Sequence, residues 1–157
     1  MIVLLGAEVS FAHQNVASYE FEQDCLSVSH SFKRMTALMV ASLCVKSFLN
    51  AEKPSTSEDI SRALEAPLCL VRSVLGDLSK AGILSEVCSD HREKIAYQPA
   101  CDIDRLTVAG VMDRLDRQGI TSVPMADSTE INKLRETVKR FSEMIEQSPA
   151  NLKLQDL

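Results

Sequence analysis

The stretch from Ser55 to Ala100 constrains this chain more than any other, because it reads as two short helices meeting at a proline, followed by a β-flap. Ser55-Thr56-Ser57-Glu58-Asp59-Ile60 opens the first helix. Thr56 is an N-cap residue, and Asp59 three positions on supplies a weak capping box. Glu65-Ala66-Pro67 breaks that helix, and proline suits the first turn of the next one, where its missing N–H costs nothing. In the second helix, 68–81, Leu68, Val71, Leu75 and Leu78 recur at helical spacing on one face. Gly82 supplies the stop. Segments 84–87 and 95–97 then bracket the polar run from Cys88 to Lys94, as two strands bracket a wing. The expected fold class is mainly α with a small β-wing: a winged helix-turn-helix plus C-terminal helices. That order lets a second helix enter a major groove while the β-loop touches the backbone. The same architecture also serves as a protein-binding module.

The 157 residues suit one domain with appended helices. Residues 1–29 read as an apolar segment and connector, 30–100 as the winged domain, 101–148 as two C-terminal helices and 149–157 as a frayed tail. A helix over 30–50 opens the winged domain, with Phe32, Met35, Leu38, Met39, Leu43 and Leu49 expected toward the core. After the wing, Thr107 caps a helix over 108–118 whose apolar face is Val108, Val111, Met112 and Leu115, and Gly119 ends it. In the last helix, 127–147, Ile131, Leu134, Val138, Phe141 and Ile145 are spaced three, four, three, four, which is a coiled-coil seam. Two heptads fall short of the ~3–4 that a convincing coiled coil needs. Two readings therefore stand: a dimer helix, or a helix packed antiparallel on its own domain. Pro149 breaks it, and the terminal residues are expected to fray.

Hydrophobic residues make up 45% of the chain and aromatics 4%, with no Trp, so the core is aliphatic and six Met fill gaps. A net charge of −5 argues against strong nonspecific binding to nucleic acid, which relies on neutralising phosphates. From Pro54 to Leu84, Arg62, Arg72 and Lys80 face Glu58, Asp59, Glu65 and Asp77, which leaves one negative charge. The DNA-binding candidates are Arg72, Ser73 and Lys80 on the second helix and Arg92 and Lys94 on the wing. That helix begins Pro67-Leu68-Cys69-Leu70, an apolar opening poorly suited to reading base edges. A homodimer or a protein partner is therefore favoured over nucleic acid.

No Gly-rich phosphate loop, HExxH or GxSxG occurs, and His13, His30 and His91 stand apart. The five cysteines, at 25, 44, 69, 88 and 101, form no CxxC pair and read as reduced thiols, with Cys44 and Cys69 in the core. Cys88 and His91, even with Cys101 and His30, fall short of a four-ligand zinc set in fixed geometry. No catalytic residue, cofactor or metal is expected.

The opening Met1-Ile2-Val3-Leu4-Leu5-Gly6-Ala7 is too short for a membrane span of ~20 residues and lacks a basic leader. The string from Leu5 to Gln14, with Tyr19-Glu20-Phe21-Glu22, resembles the end of the last membrane helix in the YihY/BrkB family, multi-span inner-membrane proteins once labelled ribonuclease BN. The resemblance covers only the first part of the chain. It implies a cytoplasmic tail at the inner face of the bacterial inner membrane, held there by a missing N-terminal membrane part, and the residues themselves read as non-enzymatic. It places no functional residue. The ribonuclease BN-type tRNA processing suggested by the old label finds no convergent acids, bases or metal carboxylates here.

Asp102-Ile103-Asp104-Arg105-Leu106-Thr107-Val108, with Val111, Met112 and Leu115, resembles the small winged-helix repressors that sense iron–sulfur status. In those a long helix after the wing builds the dimer. Their three clustered cysteines are missing, since only Cys88 and Cys101 lie in that interval. The leading expectation is thus a regulatory or interaction tail. The alternative is a dimeric winged-helix DNA-binding transcriptional regulator.

Overall fold

A computed structural model of the chain describes residues 28–88, 94–119 and 128–157. Its elements run α1 (His30–Leu49), β1 (Ser55–Thr56), α2 (Ser57–Ala63), α3 (Leu68–Lys80), β2 (Leu84–Cys88), β3 (Ile95–Pro99), α4 (Val108–Asp116) and α5 (Thr129–Glu146), with 3-10 turns at Ile103–Arg105 and Leu154–Asp156. This is the mainly helical, β-winged class that the sequence pattern implies.

The local signals explain the helix-turn-helix corner. The Thr56 hydroxyl accepts from the Asp59 N–H at 3.3 Å, and the Asp59 carboxylate accepts from the Thr56 N–H at 3.2 Å, a complete capping box. At the corner Glu65 takes a left-handed φ of 50°, and the Ser61 hydroxyl donates to the Ala66 carbonyl at 2.7 Å. Pro67 is the N-cap of α3 rather than its first residue. Gly82, at φ 64°, ends α3 in a Schellman motif: Ile83 N–H donates to the Leu78 carbonyl and Gly82 N–H to that of Ser79.

The sheet is antiparallel with order β1-β3-β2, Glu86 opposite Tyr97 and Ser55 on the other side of Tyr97. Strand β1 was not anticipated, because two residues carry no alternation to detect.

In the core, Ala37, Val40, Ala41, Cys44 and Val45 of α1 pack with Leu70, Val71, Val74, Leu75 and Leu78 of α3, joined by Ile60, Ile83, Leu84, Leu106, Val111 and Leu154. The expected inward face of α1 is corrected here. Phe32, Met35, Met39 and Leu49 are exposed, and Leu38 and Leu43 only half-buried. Helix α1 carries apolar residues on every side among its few charges, with no dominant apolar face, so periodicity does not choose its inner face. The small side chains win because they let α3 approach closely.

The tail expected to fray is tied down instead. The Leu154 side chain is fully buried, its N–H donates to the Leu106 carbonyl at 2.9 Å, and its carbonyl accepts from the Ser42 hydroxyl at 3.1 Å. Asn151 accepts from the Ala109 N–H at 2.9 Å, and Lys153 pairs with Asp104 at 3.0 Å. A terminus frays only where burial and backbone bonding do not hold it.

Helix α5, capped by Ser128, buries none of its residues. Leu134, Val138, Phe141 and Ile145 are between 56% and 65% exposed, while Ile131, Leu134 and Val138 border a cleft with Asp113 and Arg117 of α4.

Candidate nucleic-acid interface

Because α3 turns Leu70, Val71, Val74, Leu75 and Leu78 inward, Arg72, Ser73 and Lys80 are left exposed on its outer side. Arg72 is not alone there. Its Nη2 lies 3.1 Å from Oε1 of Glu58, in the first turn of α2. The Glu58 carboxyl is held below its ordinary range, chiefly by its own backbone N–H, with smaller contributions from Arg72 and from the charge of Lys94. Asp59 is lowered too, first by the Thr56 hydroxyl, and it also feels Arg62 and Lys94. Lys94, exposed at the foot of β3, therefore borders the same acidic pair as Arg72. Tyr97 completes the group; burial pushes its hydroxyl up, Glu86 adds to the shift and Arg72 opposes it.

The fold thus gathers Arg72, Lys94 and Tyr97 around Glu58, on one surface built by α2, α3 and the wing. Ser73 adjoins Arg72. Lys80 stands eight residues further on, about 12 Å along the helix axis, at the other end of the surface. Arg92 lies outside the described residues. The involvement of Glu58 and Tyr97 had no signal in the sequence beyond their type, since the pairing of Glu58 with Arg72 exists only across the corner at Pro67.

Cys44, Cys88 and Cys101 are free, and burial pushes the Cys44 thiol up to about 12. Arg114 donates to the Cys101 sulfur at 3.3 Å. Cys69 is disulfide-bonded, against the expectation of reduced thiols throughout. Among the described residues no three or more His, Cys, Asp or Glu side chains are grouped to hold a metal ion; His91 lies outside them.

A three-stranded wing against a helix-turn-helix, with a charged outer face on the second helix, defines a winged-helix protein. No protein-family model and no curated protein matches the chain. Three solved structures are similar to it. IscR of T. potens shares 15% identity at a TM-score of 0.51, over 76% of this chain and 80% of that one. CymR, the global cysteine regulator of B. subtilis, shares 18% at 0.54, over 83% and 94%. A protein described as a transcriptional regulator from Listeria innocua shares 18% at 0.53, over 80% and 82%. At these identities the likeness is one of fold. Two of the three are regulators by name.

This likeness overturns the leading expectation of a YihY/BrkB membrane-protein tail. It takes in 94% of the CymR chain, so the fold matches nearly a whole regulator rather than an appendage. The placement at the inner face of the bacterial inner membrane falls with it. Among the described residues no helix is long and apolar enough to cross a membrane, and the strings that carried the resemblance lie outside them. The ribonuclease BN label loses its basis as well.

Proposed function

We propose that this chain is a dimeric, non-enzymatic DNA-binding transcriptional regulator. The observation that carries the proposal is the convergence of Arg72 on α3 and Lys94 on the wing at one exposed surface. In this reading α3 enters a major groove with Arg72 and Ser73 toward base edges, while Lys94 and Arg92 meet phosphates. The fold likeness to a named global regulator supports the same direction. Two copies joined through the α5 seam of Ile131, Leu134, Val138, Phe141 and Ile145 present two α3 helices. Half-sites one helical turn apart, ~34 Å, then suit such a pair. Pairing also doubles the phosphate contacts, which a chain of net charge −5 needs.

Two measurements test this. Genomic DNA fragments should be retained at low salt and released as salt rises; no retention at low salt ends the DNA reading. Leu134→Glu with Phe141→Glu should give a folded monomer in sedimentation. An unchanged oligomer refutes the seam, and wholesale unfolding favours a helix packed on its own domain.

A further inference from the structure

We propose that the cleft between α4 and α5 binds a short peptide with free termini, the size of a dipeptide. The site is distinct from the charged surface of α3 and the wing, and its existence does not depend on DNA binding. The cleft encloses about 340 Å3. That is the small end of the ~300–1,000 Å3 typical of small-molecule sites. Arg34 of α1, Met112 and Asp113 of α4, and Lys139, Ile145 and Glu146 of α5 are among the side chains that line it.

The two ends of the cleft differ in charge. The Asn151 side chain accepts from the Ala109 N–H at 2.9 Å and donates to the Glu146 carbonyl at 3.0 Å. It thereby ties the start of α4 to the end of α5. Glu146, at this end, takes part in no ion pair among the described residues. The other end lies at Asp116, the last residue of α4, which Arg34 meets at 3.4 Å. Arg117 there holds Asp113 at 2.8 Å, and Lys139 on α5 reaches Glu143 only at 3.8 Å. The Nε of Arg34 is buried and has no hydrogen-bond partner among the described residues. A buried donor left unpaired is costly, so this nitrogen calls for an acceptor. Once the pairs are set aside, a donor remains at one end and a carboxylate at the other. A simple anion would face Glu146, and a simple cation would leave Arg34 unsatisfied. A zwitterion answers both. Ala109 and Asp116 stand seven residues apart, about 10.5 Å along α4. The ammonium and carboxylate of one amino acid share a carbon and cannot serve both ends. Two extended residues reach up to ~7 Å, and a hydrogen bond of ~2.9 Å at each end covers the rest. Met112 and Ile145 offer apolar atoms between the ends, so apolar side chains suit the peptide. Ile145 also belongs to the proposed dimer seam, and α1 packs on α3. Occupation of the cleft thus bears on both, a consequence that rests on the regulator reading.

The test is calorimetric titration of the full chain with leucyl-leucine, without DNA. N-acetyl-leucyl-leucine lacks the ammonium and should bind roughly 3-fold more weakly, as expected for an exposed ion pair with Glu146. Leucyl-leucine amide lacks the carboxylate and should bind at least ~10-fold more weakly, because the buried Nε then stays unpaired. Free leucine should bind more weakly than either. Arg34→Lys keeps the positive charge beside Asp116 but removes Nε. It should weaken leucyl-leucine at least ~10-fold and leave the amide unchanged. Glu146→Gln, at an exposed position that should not disturb folding, should weaken leucyl-leucine and leave the N-acetyl form unchanged. Failure of leucyl-leucine to bind at millimolar concentration overturns the site, as does equal binding of the blocked forms or of both variants. DNA retention, measured separately without peptide, decides the regulator reading. Retention with no peptide binding removes this inference alone, and peptide binding with no retention removes only its regulatory consequence.

Discussion

Arg72 on α3 and Glu58 on α2 face each other across the Pro67 corner, with Nη2 and Oε1 3.1 Å apart. The pair is partly exposed, so it adds only about 0–1 kcal/mol to stability, and its consequence lies in what Arg72 is free to bind. Arg72→Ala should lower DNA affinity by about 1–3 kcal/mol if the guanidinium reads a base edge. Glu58→Gln should instead raise affinity several-fold at low salt, by removing a negative charge beside the phosphates. Anisotropy titrations of one fragment at fixed salt check both. If Arg72→Ala binds like the wild type, α3 is not the reading surface.

The capping box makes a separate prediction about acid. Thr56→Ala should cost about 1 kcal/mol, measured by urea unfolding at neutral pH. Glu58 and Asp59 are lowered from ordinary values of 4.5 and 3.8, so their contribution is complete above those values and is lost as pH falls through the lower folded ones. Because the Thr56 hydroxyl is the largest cause for Asp59, Thr56→Ala should also flatten the acid limb of the stability curve. An acid limb identical to that of the wild type would contradict the hydrogen bonding at this corner.

The C-terminal strap should matter to the whole domain. Leu154→Ala removes a fully buried side chain and should destabilise by about 2–5 kcal/mol. Ser42→Ala leaves the Leu154 carbonyl without its donor and should cost about 1–3 kcal/mol. The two sites touch, so their effects should not add. A Leu154→Ala chain within about 0.5 kcal/mol of wild type would mean that the tail is not packed.

Thiol labelling should separate the cysteines. With its thiol pushed up to about 12 by burial, Cys44 carries roughly a thousandfold less thiolate than an exposed cysteine at the same pH. Mass mapping after brief alkylation of the native protein should find Cys88 modified and Cys44 untouched. A raised thiol pKa favours the fold below its ordinary value of 9.0, and this advantage is lost as pH rises toward 12. Stability should therefore decline at alkaline pH, and less so in Cys44→Ala. Rapid labelling of Cys44 in the folded chain would contradict its place between α1 and α3.

What was legible in the sequence is local. Thr56 with Asp59, Gly82 after α3, Thr107 and Ser128 as caps, and the three-four spacing from Ile131 to Ile145 each act over a few residues. Cap hydrogen bonds and backbone angles leave a residue-level trace at that range. Tertiary packing decided the rest. The inner face of α1 was not readable because apolar residues stand on every side of the helix, and only the approach of α3 selected Ala37, Ala41 and Cys44 over Phe32 and Met35. The strap at Leu154 was not readable because its partners, Ser42 and Leu106, are remote in sequence. The charged surface was not readable for the same reason. A count of charges between Pro54 and Leu84 records only the signs of Glu58 and Arg72, whereas the folded corner pairs the two and brings the charge of Lys94 to bear on Glu58. Short-range geometry is written in neighbouring residues, but which faces meet depends on contacts between segments that do not adjoin in the chain.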